Sequence, residues 1–144
     1  MCSSLAVVKP HAVHAGSAGA ILEALQNAFL VTGAAVRCLD KAQASSFLTI
    51  YDGVAPDFAH MVEELASGPV LALEVVARHS GDAECIVQQL RELAGPSDPD
   101  LARVLRPSSL RAQYGVDGVK NALHVTDLES DGSIEVAAFM HTLA

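Results

Sequence analysis

Apolar residues along the chain recur in two rhythms, and where one gives way to the other marks the elements. Leu5 to Val8 is an unbroken apolar run that stops at Lys9 and Pro10, which reads as a buried strand ending at a polar edge. From Gly16 to Leu30, the residues Ala18, Ile21, Leu22, Leu25 and Phe29 recur at the roughly 3.6-residue period of a helix laid on a sheet. Gly33 punctuates this helix, Ala34 to Leu39 reads as a second strand, and Asp40 with Lys41 leads into a helix across Ala42 to Tyr51. Asp52-Gly53 signals a turn, and Pro56 suits the first turn of a helix from about Asp57 to Ala66, ended by Ser67-Gly68-Pro69. Val70 to Ala77 is apolar apart from Glu74, as a central strand would be.

A helix from about Asp82 to Ala94 follows, with Ile86, Val87, Leu90, Leu93 and Ala94 as its buried stripe. Arg91 projects from another face near its C-terminus, where the helix dipole favours a cation by about 0.3–1 kcal/mol. Gly95 to Arg111 carries Pro96, Pro99 and Pro107 and reads as a long functional loop, with Ser108 as the cap of a short helix running into Arg111 and Tyr114. Gly115 to Gly118 turns the chain into a short buried strand, Ala122 to Thr126. A last helix from about Ser133 to Thr142 is expected to bury Ile134, Val136, Ala137, Met140 and Leu143. Four strands with helices covering one face make an α+β sandwich, whose strand order periodicity leaves open.

Composition narrows the function classes. A chain of 144 residues is expected to be one domain, residues 1–144. With 51% hydrophobic residues and no tryptophan, the core must be packed mainly by Ala, Val, Leu and Ile. A net charge of −8 argues against nucleic acid as the partner, since phosphate backbones demand a surplus of Lys and Arg. A local basic pocket stays open, with Lys9, Arg91, Arg103, Arg106, Arg111 and Lys120 as candidates. Cys2, Cys38 and Cys85 form neither an even set nor a CxxC pair, which speaks against a disulfide framework or a zinc site and for a reducing compartment. His11 and His14 share one face of a helical turn, but no third metal ligand lies near them in sequence. No run approaches the ~18 apolar residues of a membrane span, and the N-terminus lacks a signal-peptide pattern, so a soluble cytoplasmic protein is expected.

The stretch with chemical content is KNALHVTD, Lys120 to Asp127. It places His124 on a strand, with Asn121 before it and Thr126 and Asp127 after it. An imidazole held in one orientation suits a histidine nucleophile; the alternative is a buried histidine satisfied by one hydrogen bond. Nothing matches GxxxxGK[ST] or the protein-kinase signatures, so a phosphate site would have to be built from side chains.

Val8 to Pro10, Ser67 to Pro69, Arg91, Gly95 to Pro99, Ser109 to Arg111, KNALHVTD and Glu135 occur in the order and spacing of the nucleoside diphosphate kinase family, which the chain resembles from about Leu5 to Leu143. The segments GVAPDFAHMVEELASGP, GPSDPDLARVLRPSSLRAQYG and DGSIEV look most like the second kinase-like domain of its two-domain ciliary branch. The resemblance implies a ferredoxin-like βαββαβ sandwich, with a four-stranded antiparallel sheet covered by helices and the histidine strand beside the first strand. It also implies ping-pong transfer of the terminal phosphate of a nucleoside triphosphate to His124 and then to a nucleoside diphosphate. Mg2+ would be carried by the phosphates, with no metal ligand from the protein.

By the same resemblance, Lys9 neutralises charge on the transferring group and Arg91 and Arg111 clamp the outer phosphates. Ser97 stands at the family's usual threonine, and Asn121 bonds the ribose hydroxyls. Glu135 accepts the histidine's second ring N–H, and Thr126, at a family serine, orients that glutamate. The departures concern the base. Asp57 falls at the aromatic jaw of the base clamp, and Phe58 would take that role only if the preceding segment slips by one residue. Gly118 falls at the opposite jaw and Leu48 at a nearby tyrosine, while Val125 replaces the glycine after the histidine. Base–aromatic stacking is worth about 1–3 kcal/mol, so weak base recognition is expected. The partners implied are nucleoside tri- and diphosphates, with a homodimer or monomer and no membrane. The alternative is a catalytically weak or inactive structural protein of ciliary or axonemal microtubules.

Overall fold

In β1, Ser3–Val8, successive side chains point to opposite faces, and residues 4–8 are all buried. Such a strand needs cover on both sides, and the computed structural model, which describes residues 3–79, 81 and 86–142, supplies it. β1 pairs antiparallel with β3, Pro69–Val76, on one side and with β4, Leu123–Val125, on the other. β2, Leu30–Cys38, pairs antiparallel with β3, giving the order β2-β3-β1-β4. This is the βαββαβ arrangement with the histidine strand beside the first.

Helices lie on both faces of this sheet rather than on one. Ala6, Val8, Leu73 and Val75 pack with Ile21 and Leu25 of α2, Ala18–Ala28, and with Val87 and Leu90 of α5, Ile86–Ala94. On the other face, Leu5, Val7, Val70 and Ala72 pack with Ala44 of α3, Lys41–Phe47, Val62 and Leu65 of α4, Phe58–Leu65, and Val136 of α8, Gly132–Ala137. The unbroken apolar runs of β1 and β3 require this second layer, since each fully buried Val or Leu contributes about 1.5–3 kcal/mol over exposure.

Several boundaries differ from expectation for identifiable reasons. β2 begins at Leu30, and Gly33 lies inside it, at a register shift between Val31 and Gly33. The expected helix from Ala42 to Tyr51 divides into α3, opened by an Asp40–Gln43 capping box, and a 3-10 turn over Thr49–Tyr51. The segment after Gly95 is helical, not a loop. Pro99 is the first residue of α6, Pro99–Leu105, capped by Asp98, and Ser109 rather than Ser108 caps α7, Leu110–Tyr114. In α8, Ile134 and Ala137 are exposed, while Val136 and the following Phe139 are buried. Gly132 sets that rotation, because a Cβ there would stand 2.3 Å from the Ser3 carbonyl oxygen. The remaining turns of this segment are π-helical over Ala138–Thr142. The start expected for α5 at Asp82 and the burial expected of Leu143 lie outside the described residues. Among those described, no helix is long and apolar enough to cross a membrane.

Candidate active site

β4 carries His124 into the sheet opposite Val7 of β1, and this pairing leaves the residue only 8% exposed. Its Nε2 lies 2.8 Å from Oε1 of Glu135 on α8. Phe47, at the end of α3, meets the ring edge-on at 5.1 Å and 75°, and is itself backed by Phe139. A carboxylate on Nε2 fixes the proton there and leaves the Nδ1 lone pair unshared, which is the state a nitrogen nucleophile needs.

The ring lines a cleft of about 250 Å³ together with Lys9, Tyr51, Asp57, Ser97, Arg111, Gly118 and Asn121. A neighbouring cleft of about 340 Å³ adds Arg91 and Arg106 and shares Ser97, Arg111, Val125 and Asp127 with the first. Lys9, at the exit of β1, donates from Nζ to the Val119 carbonyl at 3.0 Å. Burial, and then the Arg111 guanidinium, pull its pKa down to about 8. Arg111, on α7, donates from Nη1 to Gly95 O at 2.7 Å and from Nη2 to Leu123 O at 2.9 Å, while its buried Nε has no acceptor. Burial lowers its pKa to about 10. Among the described residues no carboxylate forms an ion pair with Lys9, Arg91 or Arg111. Desolvated cations left without an anion make a site for one.

Arg91 stays exposed at the end of α5, with Nη1 3.4 Å from the Asp127 carbonyl oxygen. Asn121 donates from Nδ2 to Ser97 O at 3.0 Å and Gly118 O at 3.3 Å, and its buried Oδ1 is an acceptor with no donor. Val125 is 3% exposed and packs in the α2–α5 core, which takes up its β-branched bulk.

Four residues stand elsewhere than expected. Thr126 Oγ1 accepts from Leu5 N at 3.1 Å, so this hydroxyl ties β4 to β1 and makes no hydrogen bond to Glu135. Phe58 packs into the α3–α4 core, leaving Asp57 and Gly118 on the cleft wall. Arg103 is an α6–α7 clasp, paired with Asp100 and bonded to Ala112 O and Gly115 O. Lys120 is exposed and outside both clefts.

Sequence reasoning missed Tyr51 and Asp127. The 3-10 turn after α3 brings Tyr51 to the cleft beside Leu48, and its hydroxyl donates to the Asp127 carboxylate. Burial, and then that bond, push the phenol pKa far above its usual range. The signal was present, since Tyr51 follows Leu48 by three residues and a short turn places both on one side. His11 and His14 share the helix α1, Pro10–His14, as expected, and no sequence pattern signals that His11 Nε2 accepts from the Ala122 N–H at 2.9 Å. Among the described residues, no group of three or more His, Cys, Asp and Glu side chains is placed to hold a metal ion.

Comparison with known proteins gives a consistent result. Residues 3–143 match the nucleoside diphosphate kinase family. Nucleoside diphosphate kinase homolog 7 of Rattus norvegicus is 40% identical over 138 residues, 95% of this chain; the chain spans only 33% of that relative's length. The nucleoside diphosphate kinase of Aquifex aeolicus (strain VF5) is 32% identical over 92% of this chain and 89% of its own. The orthorhombic crystal form of the Aquifex aeolicus enzyme superposes with a TM-score of 0.82 over 94% of this chain and 92% of that one, at 31% identity. A halophilic nucleoside diphosphate kinase from Halobacterium salinarum, solved in complex with CDP, gives 0.80 at 26% identity over 95% and 86%.

Proposed function

Because the chain belongs to the nucleoside diphosphate kinase family, we propose that it moves the terminal phosphate of a nucleoside triphosphate to a nucleoside diphosphate through a phosphohistidine on His124. The observation that carries this reading is the Glu135–His124 pair, 2.8 Å apart, at the wall of a cleft whose cations Lys9 and Arg111 form no ion pair with a carboxylate among the described residues. Nδ1 attacks the terminal phosphorus, the bond to the bridging oxygen breaks, and the nucleoside diphosphate departs. Glu135 balances the positive charge that grows on the imidazole. Lys9, Arg91 and Arg111 hold the outer phosphate oxygens, and Ser97 and Asn121 flank the nucleotide, the free Oδ1 of Asn121 accepting from a ribose hydroxyl. The second half-reaction reverses these steps on a different nucleoside diphosphate.

The donor set fits Mg2+ carried on phosphate oxygens: of the two carboxylates lining the cleft, Asp57 and Asp127, that of Asp127 is engaged by Tyr51. When bound, the ion neutralises charge between the phosphates. Asp57 and Gly118 at the cleft wall support weak base recognition. Incubation with γ-labelled ATP and Mg2+, followed by a GDP chase, tests the proposal. Acid-labile label that moves to GDP and is absent from His124→Ala supports it; an unlabelled, folded native protein at millimolar ATP overturns it.

The β2 edge, with Leu30 and Val36 exposed and no strand paired beyond it among the described residues, supports a homodimer formed there. The free Cys38 thiol fits a cytoplasmic location. A second reading, a structural protein among ciliary or axonemal microtubules, draws support from exposed Leu101, Val104, Leu105 and Val116 on and near α6 and α7. Co-sedimentation with microtubules, lost on Val104→Glu, would be its signature.

A further inference from the structure

Ala122 is the one non-glycine among the described residues with φ in the left-handed region, at 77°. Such a conformation is strained and persists where surrounding contacts over-determine it. Here those contacts come from a single junction. The Ala122 carbonyl accepts from the Lys9 N–H at 2.9 Å, and its N–H donates to His11 Nε2 at 2.9 Å. His11 is anchored in turn, its backbone N–H donating to Oε1 of the buried Glu64 at 2.9 Å. The strained residue adjoins Asn121 and lies two positions before His124.

We propose that His11 is a positioning residue for phosphotransfer, its neutral imidazole holding the Ala122 peptide so that Asn121 and His124 both face the nucleotide. The inference rests on the phosphotransfer reading of the site. Ala122 is fully buried, so without the ring its N–H would lose its acceptor, a loss that costs more than an exposed hydrogen bond returns. The strained peptide would then relax, and the two functional side chains beside it would move.

The clasp works in one protonation state only. Nε2 accepts while the ring proton sits on Nδ1; a second proton turns Nε2 into a donor aimed at another donor. Glu64, Lys9, Lys120 and Asp117 are the charged groups that face the ring. Burial, with Lys9 and Lys120, outweighs the two carboxylates and holds the pKa below the ordinary histidine value, so the neutral clasp persists at neutral pH and opens in acid.

Two variants separate the acceptor from the ring. His11→Gln keeps an acceptor oxygen near the Nε2 position and does not titrate, whereas His11→Phe fills the space with no acceptor. The expected result is a loss of about 10–100-fold in kcat/KM for ATP-to-GDP transfer in the folded Phe variant, the scale of a small misplacement. The Gln variant should stay within about threefold of native. Its acid limb should be shallower by one proton, leaving only the groups it shares with the native protein. Hydrogen exchange at the Ala122 amide should be fast in His11→Phe and slow in His11→Gln. A folded Phe variant with native kcat/KM and a protected Ala122 amide would overturn the proposal, as would an unchanged acid limb in the Gln variant should the Phe variant not fold. If the native protein transfers no phosphate, the phosphotransfer reading fails separately. Ala122 exchange then decides the clasp: protection in the Phe variant refutes it and exposure upholds it.

Discussion

At the residue scale, the candidate site works by withholding partners. Lys9 and Arg111 are buried cations whose hydrogen bonds go to carbonyl oxygens instead of carboxylates, and Asn121 Oδ1 is left unpaired. Each of these is a cost to the empty fold that, on the proposed reading, an incoming phosphate or ribose would offset. Lys9 makes the trade visible in pH. Its native pKa of about 8 lies below the model-peptide value of 10.5, so the unfolded chain binds the extra proton in that window. As pH rises from about 8 to 10.5, deprotonation of Lys9 should therefore add stability while removing transfer activity. Parallel urea melts and kcat/KM profiles would register this divergence, and Lys9→Met should abolish it. Glu135→Gln keeps an acceptor near Nε2 but removes the charge, and is expected to lower kcat by about 10–1,000-fold with little change in KM. Single-turnover kinetics would measure it; a variant weakened only in KM would assign Glu135 to binding.

At the element scale, the sequence legible to periodicity and the sequence legible to chemistry are different parts of the chain. The strand cores, α2, α4 and the order of phosphate-binding residue types could be read because a residue's own character decides them. α6 was hidden because Pro99 and Asp98 read as breakers when they are in fact its first residue and its cap. The face of α8 was hidden because it is set by Gly132 against the Ser3 carbonyl, a contact across the whole chain. Thr126 and Tyr51 depend on strand register and on a 3-10 turn, which no local pattern encodes. The Gly132 contact makes a prediction of its own. Gly132→Ala must push α8 off β1, so it should destabilise the fold by about 1–3 kcal/mol in denaturant melts. It should also lower phosphotransfer, since Glu135 rides on the same helix. A variant with a native melting curve would show that α8 has slack at this point.

At the scale of the whole molecule, a sheet with helices packed on both faces of β1 and β3 carries the histidine at the β4 edge and, among the described residues, leaves β2 open at the other. The cleft is lined by Lys9 and Arg111 and also by Asp57 and Gly118, the latter two being where the proposed reading places the nucleotide base. Asp57→Phe is accordingly expected to tighten ADP binding by about 5–150-fold, the equivalent of one aromatic stack. Calorimetry would decide it, and unchanged affinity would mean that the base lies away from residue 57. If Glu135 occupies Nε2 of His124, as the proposed phosphotransfer requires, phosphate must go to the other ring nitrogen. Phosphorus NMR of the protein after incubation with ATP and Mg2+ reads this out. A single phosphohistidine carrying its phosphate on Nδ1 of His124 and absent from His124→Ala is expected; phosphate on Nε2, or on another residue, would refute the assignment.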